Sequence, residues 1–268
     1  MSIIYQPKGK AREYSPLAAN LYDGCNHGCK YCYAPIIRYK TRENYYNVFV
    51  RRNVLHELEK DCKQYSYSKN QVLLTFMSDP YNKLNNELNI TRKTLELFFR
   101  YKIPVAILTK SKTVLNDINI FKQFEDHIKI GMTLTFDNEK DSIIYEPEAS
   151  LPDERIEVLK TLKENNIITW ASFEPVIKPE QSINMIKKSL KYVDIYKIGK
   201  INNYDGIDKR IDWNDFLQKV VDILRENKKP FYVKYDLRQA ANKIKLYGNE
   251  CLMDEFLVEP FKKDTLFD

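Results

Sequence analysis

The chain has 268 residues, of which 43% are hydrophobic and 30% charged, with only seven glycines. That composition is ordinary for a globular protein and excludes a chain dominated by flexible linkers; the length suits one large α/β domain or two small ones. The net charge of +6 is compatible with an anionic partner such as nucleic acid, or simply with a well-solvated surface, because no single dense basic run stands out.

The opening stretch, MSIIYQPKGKAREY, lacks the charged-then-apolar layout of a signal peptide. No apolar run approaches membrane-spanning length. The expected location is therefore cytoplasmic, with no membrane partner. There, thiols stay free or bind metal rather than pair as disulfides.

LAANLY, Leu17 to Tyr22, reads as a first strand, and a loop with Cys25, Cys29 and Cys32 follows it. RNVLHELEKDCKQY carries helical spacing through Val54, Leu55, Leu58 and Cys62. QVLLTF is a buried strand ending at Phe76, TRKTLELFFRY a helix, and PVAILTK a strand. TVLNDINIFKQF is a helix and IKIGMTLTF a strand. PDERIEVLKTLKENN is a helix with Pro152 and acidic residues in its first turn, as the helix dipole prefers. IITWASFEPV, VDIYKIG and PFYVKYD are further strands, separated by the helices PEQSINMIKKSLKY and WNDFLQKVVDILREN. A helix and a less regular tail close the chain.

Continuous apolar strands alternating with helices imply a parallel sheet covered by helices. Seven strand candidates leave the choice between a barrel and an open doubly wound sheet. No glycine-rich phosphate loop follows any strand, which argues against a Rossmann unit or a P-loop protein. In a barrel, chemistry sits at the strand C-termini. The cysteine loop follows the first strand and so lies on that face.

Three thiols spaced C-x-x-x-C-x-x-C are an unusual set. Structural zinc wants four closed ligands, commonly as two pairs. His27 lies inside the loop, but spacing that close to Cys25 strains a tetrahedral site. A redox pair needs only Cys29 and Cys32. An iron–sulfur cluster is normally held by four thiolates, so three leave one iron with an open coordination position, where a cofactor or substrate can bind.

CNHGCKYC resembles the cluster loop of the radical SAM superfamily, with Tyr31 at its aromatic position. LYDGCNHGCKYCYAP, SDPYN, ILTKS and YKIG are similar to stretches of the spore photoproduct lyase-related branch, often labelled DNA repair photolyase. The resemblance implies a parallel (β/α) partial barrel of about six strands over residues 1–235, with a C-terminal helical extension over 236–268. It implies a [4Fe-4S] cluster on Cys25, Cys29 and Cys32, with S-adenosyl-L-methionine (SAM) on the open iron. Reductive cleavage of SAM would give a 5′-deoxyadenosyl radical that abstracts hydrogen from the substrate. A flavodoxin or ferredoxin would supply the electron.

The same resemblance assigns SAM contacts. Ser78 and Asp79 would accept hydrogen bonds from the SAM amino group, with a helix cap or an Asp-Pro turn as the lesser alternative. Lys110, followed by Ser111, would meet the SAM carboxylate, or else be a solvated strand-end lysine. Thr133 or Thr135 would reach the ribose, Tyr31 and Tyr33 the adenine, and Glu174 the SAM or substrate. Lys197, Lys200 and Lys234 would face an anionic substrate. A lyase of this branch returns a hydrogen atom from a cysteine. The candidates are Cys62 and Cys251, and no local motif aligns either of them. The substrate class implied is nucleic acid. Peptide modification, or a non-enzymatic iron–sulfur or zinc regulatory protein, are the competing readings.

Overall fold

A computed structural model describes residues 2–202 and 204–263. Its strands are β1 (Ile4–Tyr5), β2 (Leu17–Ala19), β3 (Tyr22–Asp23), β4 (Phe49–Val50), β5 (Val72–Leu74), β6 (Val105–Thr109), β7 (Ile128–Thr133), β8 (Ile168–Phe173), β9 (Ile195–Ile198) and β10 (Phe231–Val233). Eight of them form one sheet in the order β1-β2-β5-β6-β7-β8-β9-β10, while β3 and β4 make a separate antiparallel ribbon. Only β1 runs antiparallel to its neighbour in the large sheet. Seven parallel strands with edges at β1 and β10 make the expected partial barrel, one strand more than the resemblance implies.

The helices are α1 (Ala34–Ile37), α2 (Arg42–Tyr46), α3 (Val54–Gln64), α4 (Lys83–Leu88), α5 (Ile90–Arg100), α6 (Ile118–Phe124), α7 (Glu139–Tyr145), α8 (Pro152–Glu164), α9 (Pro179–Ser189), α10 (Trp213–Glu226) and α11 (Tyr235–Ala240). Among the described residues, no helix is long and apolar enough to cross a membrane. The covering helices show why these segments coil. In α10 the Asp212 side chain caps the Asn214 and Asp215 amides, and burial recurs at Trp213, Phe216, Leu217, Val220, Val221 and Leu224.

The first strand is shorter than LAANLY suggests, because Asn20 interrupts it. Its side-chain oxygen accepts the Phe76 and Met77 amides, each at 3.1 Å, and its Nδ2 donates to Tyr5. A side chain thus replaces the backbone ladder, and the chain turns away to pair Tyr22–Asp23 with Phe49–Val50. The same bonds take the amides beyond Leu74, so that strand stops two residues early. The last helix begins at Tyr235, one residue before the expected boundary.

The lumen is filled in layers. Side chains alternate along β7, so Lys129, Gly131 and Thr133 face inward. Gly131 makes room for Trp170, whose ring atoms would lie 2.3 Å from a Cβ built there. Residues 6–16 fill the seam between the two sheet edges. The Tyr14 hydroxyl meets Ser172 at 3.0 Å and Glu174 at 2.5 Å, while Glu13 Oε1 accepts from the Tyr232 hydroxyl and the Tyr235 amide. Lys197 Nζ donates to the Glu13 carbonyl at 2.5 Å and sits 4.4 Å from the Tyr14 ring centre and 5.2 Å from that of Tyr232.

The C-terminal tail crosses the other end of the strands. Lys129 donates to the Phe256 carbonyl, the Val258 amide donates to Gln71, and Phe261 packs on Phe99 and Phe124. Burial lowers the Lys129 ammonium from 10.5 to about 7. Between those values the unfolded chain holds more protons than the native one, so unfolding free energy rises with pH across that window and levels off above it. Urea unfolding of the wild type at pH 7 and at pH 9.5 should show this rise, and the Lys129→Met variant should show a smaller one, the remainder coming from buried Lys197, whose pKa burial also lowers.

Candidate functional site

The cysteine loop, residues 24–32, leaves the β3–β4 ribbon at Gly24. That residue has φ of +89°, and a Cβ there would stand 2.1 Å from the Asn47 carbonyl oxygen, so only glycine fits. The Cys25 amide donates to Tyr45 and the Lys30 amide to Tyr145, and the Glu148 amide donates to the His27 carbonyl. The loop is thus held between α2 on one side and the end of α7 with the segment after it on the other.

Cys25, Cys29 and Cys32 are free and half-buried. Burial, with Asp79 second, pushes the Cys25 thiol up to about 11, and burial also raises Cys29. Ligation by these thiols would therefore release protons as a metal binds. Among the described residues no three His, Cys, Asp or Glu side chains gather closely enough to hold one metal ion. A single tetrahedral ion with bonds of about 2.3 Å needs its sulfurs about 3.8 Å apart. A [4Fe-4S] cube takes each thiolate on a different iron, and so fits a more widely spread trio. His27 turns its ring away, toward Asp79 at 3.4 Å.

Behind the loop lies a buried ionic cluster. Glu146 meets Arg155 at 2.5 Å, both side chains being almost fully enclosed. Glu146 Oε1 also accepts from the Tyr31 hydroxyl and from Thr135. Arg155 completes its fork on the carbonyls of Ser150 and Thr133. Lys110 Nζ lies 5.6 Å from the Tyr31 ring centre. Burial opposes the Lys110 charge, but Cys29 and Glu146 together outweigh it and raise its pKa. Arg155 and Glu146 escaped the sequence reading. The usable signal was an arginine on the apolar stripe of PDERIEVLKTLKE, three and four residues before Val158 and Leu159.

The remaining candidates divide into two groups. Asp79 has its oxygens occupied: Oδ1 takes the Tyr81 amide and the Thr109 hydroxyl, and Oδ2 takes the Lys110 amide. It fastens β5 to β6. Ser111 caps the turn that follows, accepting the Thr113 amide. Ser78 is half-buried and more loosely held, with its shortest side-chain bond at 3.4 Å. Tyr33 is half-exposed and bonds the Phe76 carbonyl. Thr133 is buried at the inner end of β7.

Glu174 ends β8 and takes Tyr14 and Lys234, the latter at 2.7 Å. It lies flat on Gly199, where a Cβ would stand 2.9 Å from its carboxyl carbon. Lys200 points to Asp208 at 3.8 Å. Cys62 is sealed in the core under α3, where burial pushes its thiol up to about 12. Cys251 ends a short turn beside the Arg225–Glu250 pair. The structure brings neither to the loop cysteines. Tyr14, missed from sequence, is the hydroxyl it does bring to Glu174.

A sequence profile described as the radical SAM superfamily matches residues 19–193. An uncharacterized protein of Methanocaldococcus jannaschii is 33% identical over 159 residues, covering 59% of each chain. One of Acidianus two-tailed virus is 24% identical and covers 66% of this chain and 61% of its own. The chain thus spans about three-fifths of these relatives' length. Among solved structures, a spore photoproduct lyase mutant with bound AdoMet and dinucleoside spore photoproduct superposes with a TM-score of 0.67 at 12% identity, covering 87% of this chain and 78% of that one. Streptococcus suis SuiB bound to S-adenosylmethionine gives 0.61 at 15% identity, covering 86% and 53%.

Removing one partner of the buried pair leaves the other charge stranded, at a cost of about 3–5 kcal/mol. Arg155→Met should destabilise by that amount in urea unfolding. The double variant Arg155→Met/Glu146→Leu should recover part of the loss.

Proposed function

Because the chain belongs to the radical SAM superfamily, we propose that it is an enzyme of that type whose cluster sits on Cys25, Cys29 and Cys32. Members of the family use a [4Fe-4S] cluster and SAM and need an electron donor. The observation that carries the assignment is the placement of three free cysteines at the C-terminal mouth of a parallel barrel, backed by the Lys110–Glu146–Arg155 cluster. When bound and reduced, the cofactors supply a 5′-deoxyadenosyl radical that takes hydrogen from the substrate.

The chain's own residues orient and enclose. Lys110 offers its ammonium to the SAM carboxylate. Ser78, rather than the fully occupied Asp79, offers an oxygen to the SAM amino group. Tyr31 sets its ring face beneath Lys110, and Thr133 stands on the inner wall for the ribose. Asp79 and Ser111 act by holding the strand ends that carry Lys110. Tyr33, at the rim, closes the mouth over the adenine. Glu174 and Lys234 face the substrate side, where Tyr14 stays protonated because burial and Glu174 raise its pKa. Lys234 is paired with Glu174 and Lys197 with the Glu13 carbonyl, so neither stands free for an anionic substrate; nucleic acid is still the class we favour, on the net charge of +6 and the resemblance of the motifs. We read Cys62, in its sealed position, and Cys251 as packing residues rather than hydrogen-atom donors.

Anaerobic reconstitution with iron and sulfide, then dithionite and SAM, should release 5′-deoxyadenosine, and Cys29→Ala should release none. A colourless protein that binds zinc and leaves SAM intact would overturn the reading. Losing a hydrogen bond to a charged group costs about 1.5–3 kcal/mol. Lys110→Met should therefore raise the SAM concentration for half-maximal release by roughly 10- to 100-fold.

A further inference from the structure

Resting on the radical SAM reading above, we propose that the excursion formed by residues 33–52 is the docking surface for an acidic one-electron carrier protein. Three observations carry this. The first is exposure. Among the described residues twelve large hydrophobic side chains are exposed, and six fall between Tyr33 and Phe49, with Tyr39 at 99% and Ile36 at 70%. A soluble surface scatters such side chains singly, and a concentration of them marks an interaction site.

The second is charge. Residues 30–52 hold six lysines and arginines against one carboxylate, Glu43, so most of the chain's +6 resides in this short stretch. Asp23 gathers part of it. Its carboxylate takes Arg38 at 3.0 Å and Lys40 at 3.2 Å, and it pairs across the ribbon with Phe49. The apolar side chains of α1 and β4 are thereby joined into one face with a basic rim. An apolar centre within a polar rim is the anatomy of a protein interface.

The third is position. α1 begins two residues after Cys32, and Arg42 donates to the Cys29 carbonyl at 3.2 Å. Ile36 is four residues from Cys32, at most about 14 Å along a fully extended chain. A partner seated here brings its redox group close to the cluster ligands. One electron would pass from the partner's reduced cofactor to the cluster, oxidising the partner by one electron, and no atom would move. Weak electron-transfer contacts are small, and one face of this kind suffices.

Nucleic acid fits the face less well. Ile36 and Ile37 stand largely exposed beside the aromatics, and a phosphate backbone offers them no apolar cover. Two of the cations are already held by Asp23, which leaves them as a rim rather than as phosphate ligands.

The test uses the reconstituted enzyme with two reductants: dithionite, which needs no docking, and reduced flavodoxin as the acidic carrier. The variant Ile36→Glu/Tyr39→Glu/Arg52→Glu alters side chains exposed to solvent. With dithionite it should release 5′-deoxyadenosine at the wild-type rate. With flavodoxin its apparent KM for the carrier should rise about tenfold or more, and the wild-type KM, unlike that of the variant, should climb steeply with salt.

An unchanged KM for flavodoxin overturns the proposal. So does a single-stranded oligonucleotide that binds the wild type, is lost by the variant, and leaves the carrier's KM unmoved; the face would then belong to nucleic acid. Failure of the wild type with dithionite would instead strike the radical SAM reading on which the docking surface rests.

Discussion

The position of the cysteine loop depends on one buried ion pair. Glu146 and Arg155 are enclosed almost completely, and each ion removed from water costs several kcal/mol unless its remaining valences are met. They are met only when three separate pieces of chain arrive together. Tyr31 comes from the loop, Thr133 and Thr135 from the end of β7, and Ser150 from the approach to α8. The loop's backbone bonds to Tyr45, Tyr145 and Glu148 hold it in place, and the ion pair adds Tyr31 as a side-chain anchor that ties it to the strand mouths.

The same economy recurs at Asp79 and Asn20. Each spends its side chain on backbone amides at a strand end, where the ladder has stopped and orphaned donors would otherwise be buried. Residues 6–16 serve the open seam in a comparable way. Seven parallel strands do not close a barrel, and Glu13 and Tyr14, from the segment that joins β1 to β2, bond to residues of β10 and just beyond β8. Lys197 then has a carbonyl and aromatic faces for company in a place where a bare ammonium would be costly.

The alternation of strands and helices was plain in the sequence because apolar period is a local property. The cysteine spacing was equally plain because C-x-x-x-C-x-x-C is confined to eight residues. What stayed hidden was long-range satisfaction. Asp79 read as a ligand for an amino group because it is polar and stands at a strand end, yet its partners come from β6 and the turn after it. Tyr14 lies in a stretch without periodicity, and its partner is 160 residues away. The break in LAANLY was invisible because an asparagine within an apolar run reveals its role only when the amides of residues 76 and 77 are in place. Arg155 escaped as well, although its signal was local. A cation on an apolar stripe announces a buried anion, though not which one.

Gly199 offers a last consequence. A Cβ there would stand 2.9 Å from the Glu174 carboxyl carbon and 3.1 Å from its Cβ and Cγ, so any larger residue must displace this side chain. Displacing it would loosen the anchor for Tyr14 and Lys234, so the order of the inner wall rests on a position that carries no side chain of its own.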